Sequence, residues 1–489
     1  MKTVSDNDSR ADALRVACDG RNLRLLFVLV LTTNLAGSIY ASIDARGLYH
    51  DGVAYLFRIA EHDGFVLVDT ARTSVQILRQ APIVLLSKHT SMTVFQRGQA
   101  FTIVLLMLPT LLCALCWFIA PRDRKAWVLF PVAYLLIGFA ATSMHAIGEA
   151  AVATGYFWVL LFLFVFRTRS IISQALFWLL NIPAFQLHEG AFPLTGVLLL
   201  SCALRGRGAK DLREQLFVGC SALLFVAVFV YQIRWIVYPQ FPADRDGIMQ
   251  GLMQFQFLYV DNHFNLPLVT GTVALLALAI VSFVYSTQPP ERAALQGSAI
   301  AVIWVAFSFT AIAVAILNEQ GFSPFAQLQA RYHPVFVSAA LGTVMVLLLA
   351  FSLPERFWMQ SPTVVILISL CAAQTTADVV ATRRWNAFAT DLQSRLGSLH
   401  GLVSWEAMLH TGDKRRDINW RLMAAAWTIP FASVVFAPTT RIKSMIDLPA
   451  GTTYRPVDPE KPNQLPQLRG VDYAPYRQFF AAQKSGSSR

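Results

Sequence analysis

Charged side chains are scarce in this sequence. They make up 14% of the 489 residues, whereas hydrophobic residues make up 55%. A soluble globular domain carries about a quarter charged residues, so the composition excludes an ordinary water-soluble fold. The sequence also lacks a P-loop, a G-x-G-x-x-G fingerprint and a G-x-S-x-G nucleophile motif. It therefore gives no motif-based reason to expect nucleotide binding or serine hydrolysis.

Cysteine is rare, and the few cysteines are in apolar surroundings. Five of the six lie in apolar runs, with Cys113 and Cys116 inside a single run. Thiols in lipid without partner ligands suit neither a disulfide framework nor a zinc site. The net charge of +11 does not predict nucleic-acid binding, because Lys and Arg collect on the cytoplasmic loops of membrane proteins.

Apolar runs of roughly membrane-spanning length recur along the chain and predict an all-α polytopic membrane protein. Eleven such spans are predicted at 25–43, 101–120, 126–144, 151–166, 171–186, 191–204, 215–238, 265–285, 298–317, 334–352 and 363–380. The first, Leu25–Ile43, is interpreted as an uncleaved signal anchor, because no small-residue cleavage site clearly ends it.

The short loops indicate the orientation of these spans. Basic residues flank alternate loops, as at Arg122, Arg167 and Arg205, and all of them fall on one side if residues 1–24 are cytoplasmic. With eleven spans, the C-terminus is then on the outer side. The pattern predicts a multi-pass protein of a bacterial inner membrane, with its C-terminus in the periplasm.

Three regions follow from this topology. Residues 1–24 form a cytoplasmic segment, 25–380 a membrane module with a long first periplasmic loop at 44–100, and 381–489 a small periplasmic domain. The apolar stretch 422–438 leaves a twelfth span open, although its length and Pro430 favour a short buried element of the tail domain.

Histidines and carboxylates gather on the predicted outer side. The stretch from Asp44 to Gly64 is densest in them, and Asp51 and Asp44 are the candidate catalytic bases. The other candidate site residues are Tyr55, His145, Glu149, His188, Glu189, Arg331, Tyr332 and His333. Charged groups at membrane depth are costly unless paired, so they indicate function by default.

Two of these features have other interpretations. A His-x-x-x-Glu pair such as His145 and Glu149 can line a sugar site, bind a metal or form a local hydrogen bond. An isolated arginine such as Arg331 can be a snorkelling anchor at the interface.

The DRDG stretch at 244–247 resembles a DxD metal motif but is also typical of an Asx turn. No metal site is therefore assigned, no cofactor is certain from the sequence, and a divalent metal stays open.

Two short segments resemble GT-C glycosyltransferases. HDGVAYLFRIAEHDGFV places Asp51, Tyr55 and Gly64 at spacings similar to those of the protein O-mannosyltransferase and aminoarabinose transferase branch, with Gly52 where that branch has a second acidic residue. ARYHPVFVSAAL, beginning next to Arg331, is similar to the Arg-Tyr-x-x-Pro opening of a late span, with Pro334 one residue earlier. The resemblance implies a GT-C-like fold, Asp51 as catalytic base, and basic residues near Arg331 that contact a lipid phosphate.

Residue chemistry agrees with that expectation. Transfer from a polyprenyl-phosphate sugar needs a carboxylate near the acceptor hydroxyl and cationic groups where charge grows on the leaving phosphate. Asp51 fits the first requirement, and Arg331 with His333 fits the second. The expected partners are a polyprenyl-phosphate sugar, a periplasmic glycan, lipid or protein acceptor and membrane lipids, with inversion at the anomeric carbon.

Two alternatives remain. A polysaccharide polymerase or O-antigen-ligase-like enzyme would use a polyprenyl-diphosphate donor, but such enzymes resemble one another through a large late loop, whereas the long loop here is early. A transporter would show internal repeats and charged residues at mid-span depth. Neither feature is prominent in this sequence.

Overall fold

The computed structural model describes residues 6–145, 148–168, 170–209, 211–239, 266–317, 332–351, 361–410, 412–424, 428–438, 441–447 and 471–474. Helices dominate this part of the chain, as predicted for an all-α polytopic membrane protein. Strands β1 (Gly401–Ser404) and β2 (Ser444–Asp447) pair in parallel, with Gly401 opposite Ser444.

The helices follow one another with short connections. In chain order they are α1 Asp6–Ser42, α2 Asp51–His62, α3 Thr73–His89, α4 Val94–Ile119, α5 Leu129–Ala133, α6 Glu149–Phe166, α7 Ile171–Asn181, α8 Phe192–Gly208, α9 Leu212–Val237, α10 Leu266–Thr287, α11 Pro290–Leu317, α12 His333–Ala350, α13 Ser361–Ser398, α14 Trp405–Leu409, α15 Lys414–Met423 and α16 Ile429–Val435. Short 3-10 helices at Arg46–Leu48, Thr70–Arg72 and Glu189–Ala191 lie next to the candidate site.

Nine helices in the described ranges are long and apolar enough to cross a membrane. They are Arg21–Ser42, Val94–Ile119, Arg122–Met144, Glu149–Phe166, Leu212–Val237, Leu266–Thr287, Glu291–Val314, His333–Ala350 and Ser361–Ser398. Each coincides with a predicted span. The other two predicted spans, 171–186 and 191–204, fall on shorter helices: Ile171–Gln186 is too short for a straight crossing, and α8 has 17 residues.

Burial separates the inner from the outer helices of the bundle. The spans Arg122–Met144 and Glu149–Phe166 are covered on nearly all sides, whereas Phe118 and Leu223 on outer helices are each 72% exposed. Polar side chains of the inner helices pair with neighbours: the Trp158 Nε1–H donates to Ser338 Oγ at 3.0 Å. Buried polar groups that pair with one another inside an apolar bundle, together with an apolar rim, are what a lipid environment favours.

The first loop is folded against the bundle and contains two helices, α2 and α3. Its entry is held by Arg46, whose Nη1 lies 2.7 Å from Asp378 Oδ1 on α13. Ser143 Oγ donates to the same carboxylate oxygen at 2.5 Å. This buried pair ties the beginning of the loop to two spans.

The tail region continues the membrane helix α13 without a break. The predicted boundary at residue 381 lies inside this 38-residue helix. The tail contacts the first loop through aromatic pairs, with ring centroids 5.1 Å apart for Phe57 and Phe431. In the stretch 422–438, the described helix α16 has seven residues, which is too short for the twelfth span that the sequence left open.

Candidate functional site

Asp51 is the first residue of α2, where a helix dipole favours a carboxylate. Its Oδ1 lies 2.5 Å from Nδ1 of His50, and the Asp51 side chain is 19% exposed. His50 has φ 55° and ψ −126°, a conformation that costs a non-glycine residue on the order of 1–3 kcal/mol. The strained turn fixes the direction of a carboxylate that remains accessible to a reacting molecule.

Asp44, the second candidate base, lies on the bundle side of the same loop. Its backbone carbonyl accepts a hydrogen bond from Trp385 Nε1 at 2.6 Å. Burial raises the pKa of its half-buried carboxyl. The backbone of Asp44 therefore anchors the loop to α13.

A buried group of ion pairs lies beneath the first loop. We call Arg72, Arg79, Glu149 and Glu189 the arginine–glutamate cluster. Arg72 Nε donates to Glu189 Oε2 at 2.9 Å, and its Nη2 pairs with Glu189 Oε1. Arg72 Nη1 and Arg79 Nη2 each lie 3.1 Å from an oxygen of Glu149. The cluster joins the first loop to α6 and to the segment before α8.

Tyr55 connects this cluster to the helix that carries Asp51. Its hydroxyl donates to Glu149 Oε1 at 3.4 Å, and Arg79 Cζ lies 4.9 Å from the centre of its ring. Burial, followed by the charge of Glu149, raises the pKa of Tyr55, so that the phenol stays protonated and continues to donate. Tyr55 is one helical turn from Asp51, which places the candidate base next to the cluster.

The charges of the cluster keep each other ionised. Burial raises the pKa of Glu189, but attraction to His188 and Arg72 outweighs it and brings the value to about 2. Burial lowers the pKa of Arg72, but Glu149 and Glu189 raise it well above its usual value. The guanidinium groups of Arg72 and Arg79 thus pair with the carboxylates of Glu149 and Glu189 where little of any of these side chains is exposed to solvent.

His188 and Tyr332 form the other edge of the site. The backbone N of Gly190 lies 2.9 Å from His188 Nδ1, and the His188 ring lies edge-on to Tyr332 with centroids 5.8 Å apart. A Cβ added at Gly190 would lie 2.4 Å from Tyr332 Cε1. Only glycine permits this approach, so the structure brings the beginning of α12 against the cluster.

The remaining predicted residues are distributed differently. His333 is buried, and its Nε2 donates to the carbonyl of Ile137 at 3.1 Å, which places it among packed helices. Arg331 and the side chain of His145 lie outside the described residues. Of the predicted set, Tyr55, Glu149, His188, Glu189 and Tyr332 converge, with Asp51 one turn from Tyr55.

Sequence reasoning missed Arg72 and Arg79. Their separation of seven residues places them on one face of a helical segment, and Gln76 lies between them on that face. Gln76 and Arg79 are 0% exposed. The available signal was therefore a polar stripe on α3, but arginine and glutamine on an amphipathic helix are normally expected to face solvent.

Gln76 is unusual among the buried polar groups near the site. Neither its Nε2 nor its Oε1 makes a hydrogen bond to the described residues. A buried amide without a partner is costly. Gln76 lies on α3 between Arg79 and Arg72, the residue that precedes this helix. This position makes it a candidate contact for a polar ligand or an ordered water.

The described residues contain no group of three or more His, Cys, Asp or Glu side chains arranged to hold a metal ion. Asp244 and Asp246 of the DRDG stretch are outside those residues. The chemistry that the described groups supply is a partly exposed carboxylate, buried guanidinium groups and phenol donors.

Comparison with known proteins identifies no relative: no family model, curated protein or solved structure matches this chain.

Proposed function

We propose that this chain is a GT-C-type glycosyltransferase of a bacterial inner membrane. It moves a sugar from a polyprenyl-phosphate donor to a glycan, lipid or protein acceptor at the periplasmic face. The observation that carries the proposal is the position of Asp51, a partly exposed carboxylate on a strained turn. It lies one helical turn from Tyr55 and hence beside the arginine–glutamate cluster.

In the proposed reaction, Asp51 removes the proton from an acceptor hydroxyl. The resulting oxygen attacks the anomeric carbon of the donor sugar from the face opposite the lipid phosphate. The bond between that carbon and the phosphate oxygen breaks, its electron pair leaves with the polyprenyl phosphate, and the anomeric configuration inverts. A positioned general base contributes typically 10²–10⁴-fold to such a step. His50, in contact with Asp51, orients the carboxylate.

The leaving phosphate requires cationic or hydrogen-bonding groups. We assign this role to Arg331, supported by its neighbour Tyr332. The contact of Tyr332 with His188 and Gly190 places the residue that follows Arg331 at the edge of the cluster. The role of Arg331 itself rests on the sequence and on its chemistry, because arginine offers planar paired donors to phosphate oxygens.

The arginine–glutamate cluster is given a positioning role. Its four charged groups are paired with one another, so little of their charge is available to a substrate. The pairs hold the first loop on α6, and through Tyr55 they hold α2. We expect Gln76, whose amide is buried and unpaired within the described residues, to bind a sugar hydroxyl or an ordered water.

The donor distinguishes this proposal from its nearest rival. Purified protein in bilayer nanodiscs would be supplied with the same radiolabelled sugar on polyprenyl monophosphate or on polyprenyl diphosphate, together with candidate envelope acceptors. We expect transfer from the monophosphate and release of polyprenyl phosphate. Transfer from the diphosphate alone would identify a polymerase or ligase, and uptake without a covalent product would identify a transporter.

A further inference from the structure

A large groove lies away from the candidate site, at the same end of the bundle. Its volume is 1170 Å³, and it is lined by the second half of α13, the beginning of α15 and the end of α11. Arg384 lines the groove, and the next residue, Trp385, donates to the Asp44 carbonyl. The groove is therefore beside the first loop but is formed by other residues.

The groove has an excess of positive charge. Among its described lining residues are four arginines, Arg383, Arg384, Arg415 and Arg416, and one carboxylate, Asp391. Asp391 lies 3.1 Å from Arg395 and accepts the Trp420 Nε1–H at 2.6 Å. Its Oδ1 also lies 3.6 Å from Nη2 of Arg416. One carboxylate does not neutralise four guanidinium groups, so the described lining keeps a net positive charge.

Two of these arginines are placed against the preference of their own helix. Arg415 and Arg416 lie in the first turn of α15, after the cap residue Asp413. The positive end of a helix dipole disfavours cations there. Helix stability therefore does not explain these side chains, whereas an anion in the groove would be favoured both by their guanidinium groups and by the helix N-terminus.

The groove also has an apolar edge at membrane depth. Ile316 and Leu317, at the end of α11, are 54% and 84% exposed. They follow closely on the candidate span Glu291–Val314, so they lie where that span leaves the bilayer. A ligand that fills the groove meets guanidinium groups on one side and lipid-level apolar side chains on the other.

We propose that this groove binds the phosphate headgroup of an anionic bilayer lipid. The arginines contact the phosphate oxygens, and the first acyl carbons lie against Ile316 and Leu317. Free phosphate would use only the basic side of the groove, whereas a lipid uses both. The assignment is independent of the glycosyltransferase proposal.

The test uses the full chain in detergent, titrated with dioleoyl phosphatidylglycerol, dioleoyl phosphatidylcholine or inorganic phosphate. Thermal unfolding and native mass spectrometry report the apparent affinity and the number of bound lipids. The variant Arg383→Gln/Arg415→Gln removes two exposed charges and leaves the contacts of Asp391 in place. The matched control Arg122→Gln/Arg207→Gln removes two exposed charges at the opposite end of the bundle.

We expect phosphatidylglycerol to raise the melting temperature of the wild type and the control. The groove variant should bind it at least tenfold more weakly while its lipid-free melting temperature is unchanged. Equal binding by the groove variant and the control would overturn the proposal. An equal effect of phosphatidylcholine would overturn the recognition of anionic charge, and an equal effect of inorganic phosphate would overturn the assignment to a lipid.

Discussion

Two carboxylates of this protein differ in what surrounds them. Asp51 lies at hydrogen-bond distance from His50, and part of its surface is exposed. Glu189 is buried and receives two donors from one guanidinium group, a geometry that fixes both partners. The exposed part of Asp51 can meet a reacting molecule, whereas both oxygens of Glu189 are held by the guanidinium group of Arg72. Reaction chemistry is therefore assigned to Asp51 and positioning to Glu189.

The position of Glu189 predicts a dependence of stability on pH. Its folded pKa of about 2 is below the ordinary value of 4.5. Its contribution is therefore fully present above pH 4.5 and is lost as the pH falls from about 4.5 towards 2. Removing one partner of a buried pair costs about 3 kcal/mol or more, so Glu189→Gln should lower the melting temperature at pH 7.

Thermal unfolding of purified protein at pH 7 and at pH 2.5 would check this prediction. The difference between wild type and Glu189→Gln should shrink at the lower pH, because the carboxyl of the unfolded wild-type chain is then protonated and folding requires it to lose that proton. The exposed Glu61→Gln serves as the control and should change the melting temperature little at pH 7. A difference that stays constant across this range would contradict the ion-pair account.

At the scale of elements, the spans were predictable because lipid imposes a simple rule on sequence. A helix that crosses a bilayer must be apolar over its length, and each long apolar helix coincides with a predicted run. The shorter runs at 171–186 and 191–204 satisfy the same rule of composition, but bundle packing can also bury an apolar helix that does not span. Apolar content alone does not distinguish the two cases.

The inward polar face of α3 could not be derived in the same way. Arg72 and Arg79 become useful only because Glu149 and Glu189, far along the chain, come to the same place. Sequence identified the two glutamates from their position at predicted helix ends, but it had no basis for choosing their partners. The sequence pattern thus identified the two glutamates of the ion pairs, and only the tertiary structure identified their arginine partners.

At the scale of the whole molecule, the account requires the first loop and the groove to lie on one side of the membrane and the basic short loops on the other. Helix α4 separates Glu61 on the loop from Arg122. It has 26 residues and is therefore about 39 Å long, enough to cross the hydrocarbon core.

Cysteine accessibility in intact bacterial cells would test this arrangement. A membrane-impermeant maleimide should label Glu61→Cys in whole cells and Arg122→Cys only after lysis, because both positions are exposed but on opposite sides. The native cysteines are controlled for with the unsubstituted chain. Labelling of Arg122→Cys in intact cells, with Glu61→Cys protected, would reverse the proposed orientation.

The central claim is that Asp51 is the base for sugar transfer, and Asp51→Asn tests it most directly. The account predicts that this variant loses at least 10²-fold in transfer rate while donor binding and melting temperature stay close to wild type, because the amide keeps the shape but cannot accept the proton. Asp63→Asn, at an exposed left-handed position with φ 46° at the end of the same helix, is the matched control and should retain activity. Full transfer by Asp51→Asn, or loss confined to Asp44→Asn, would contradict the account.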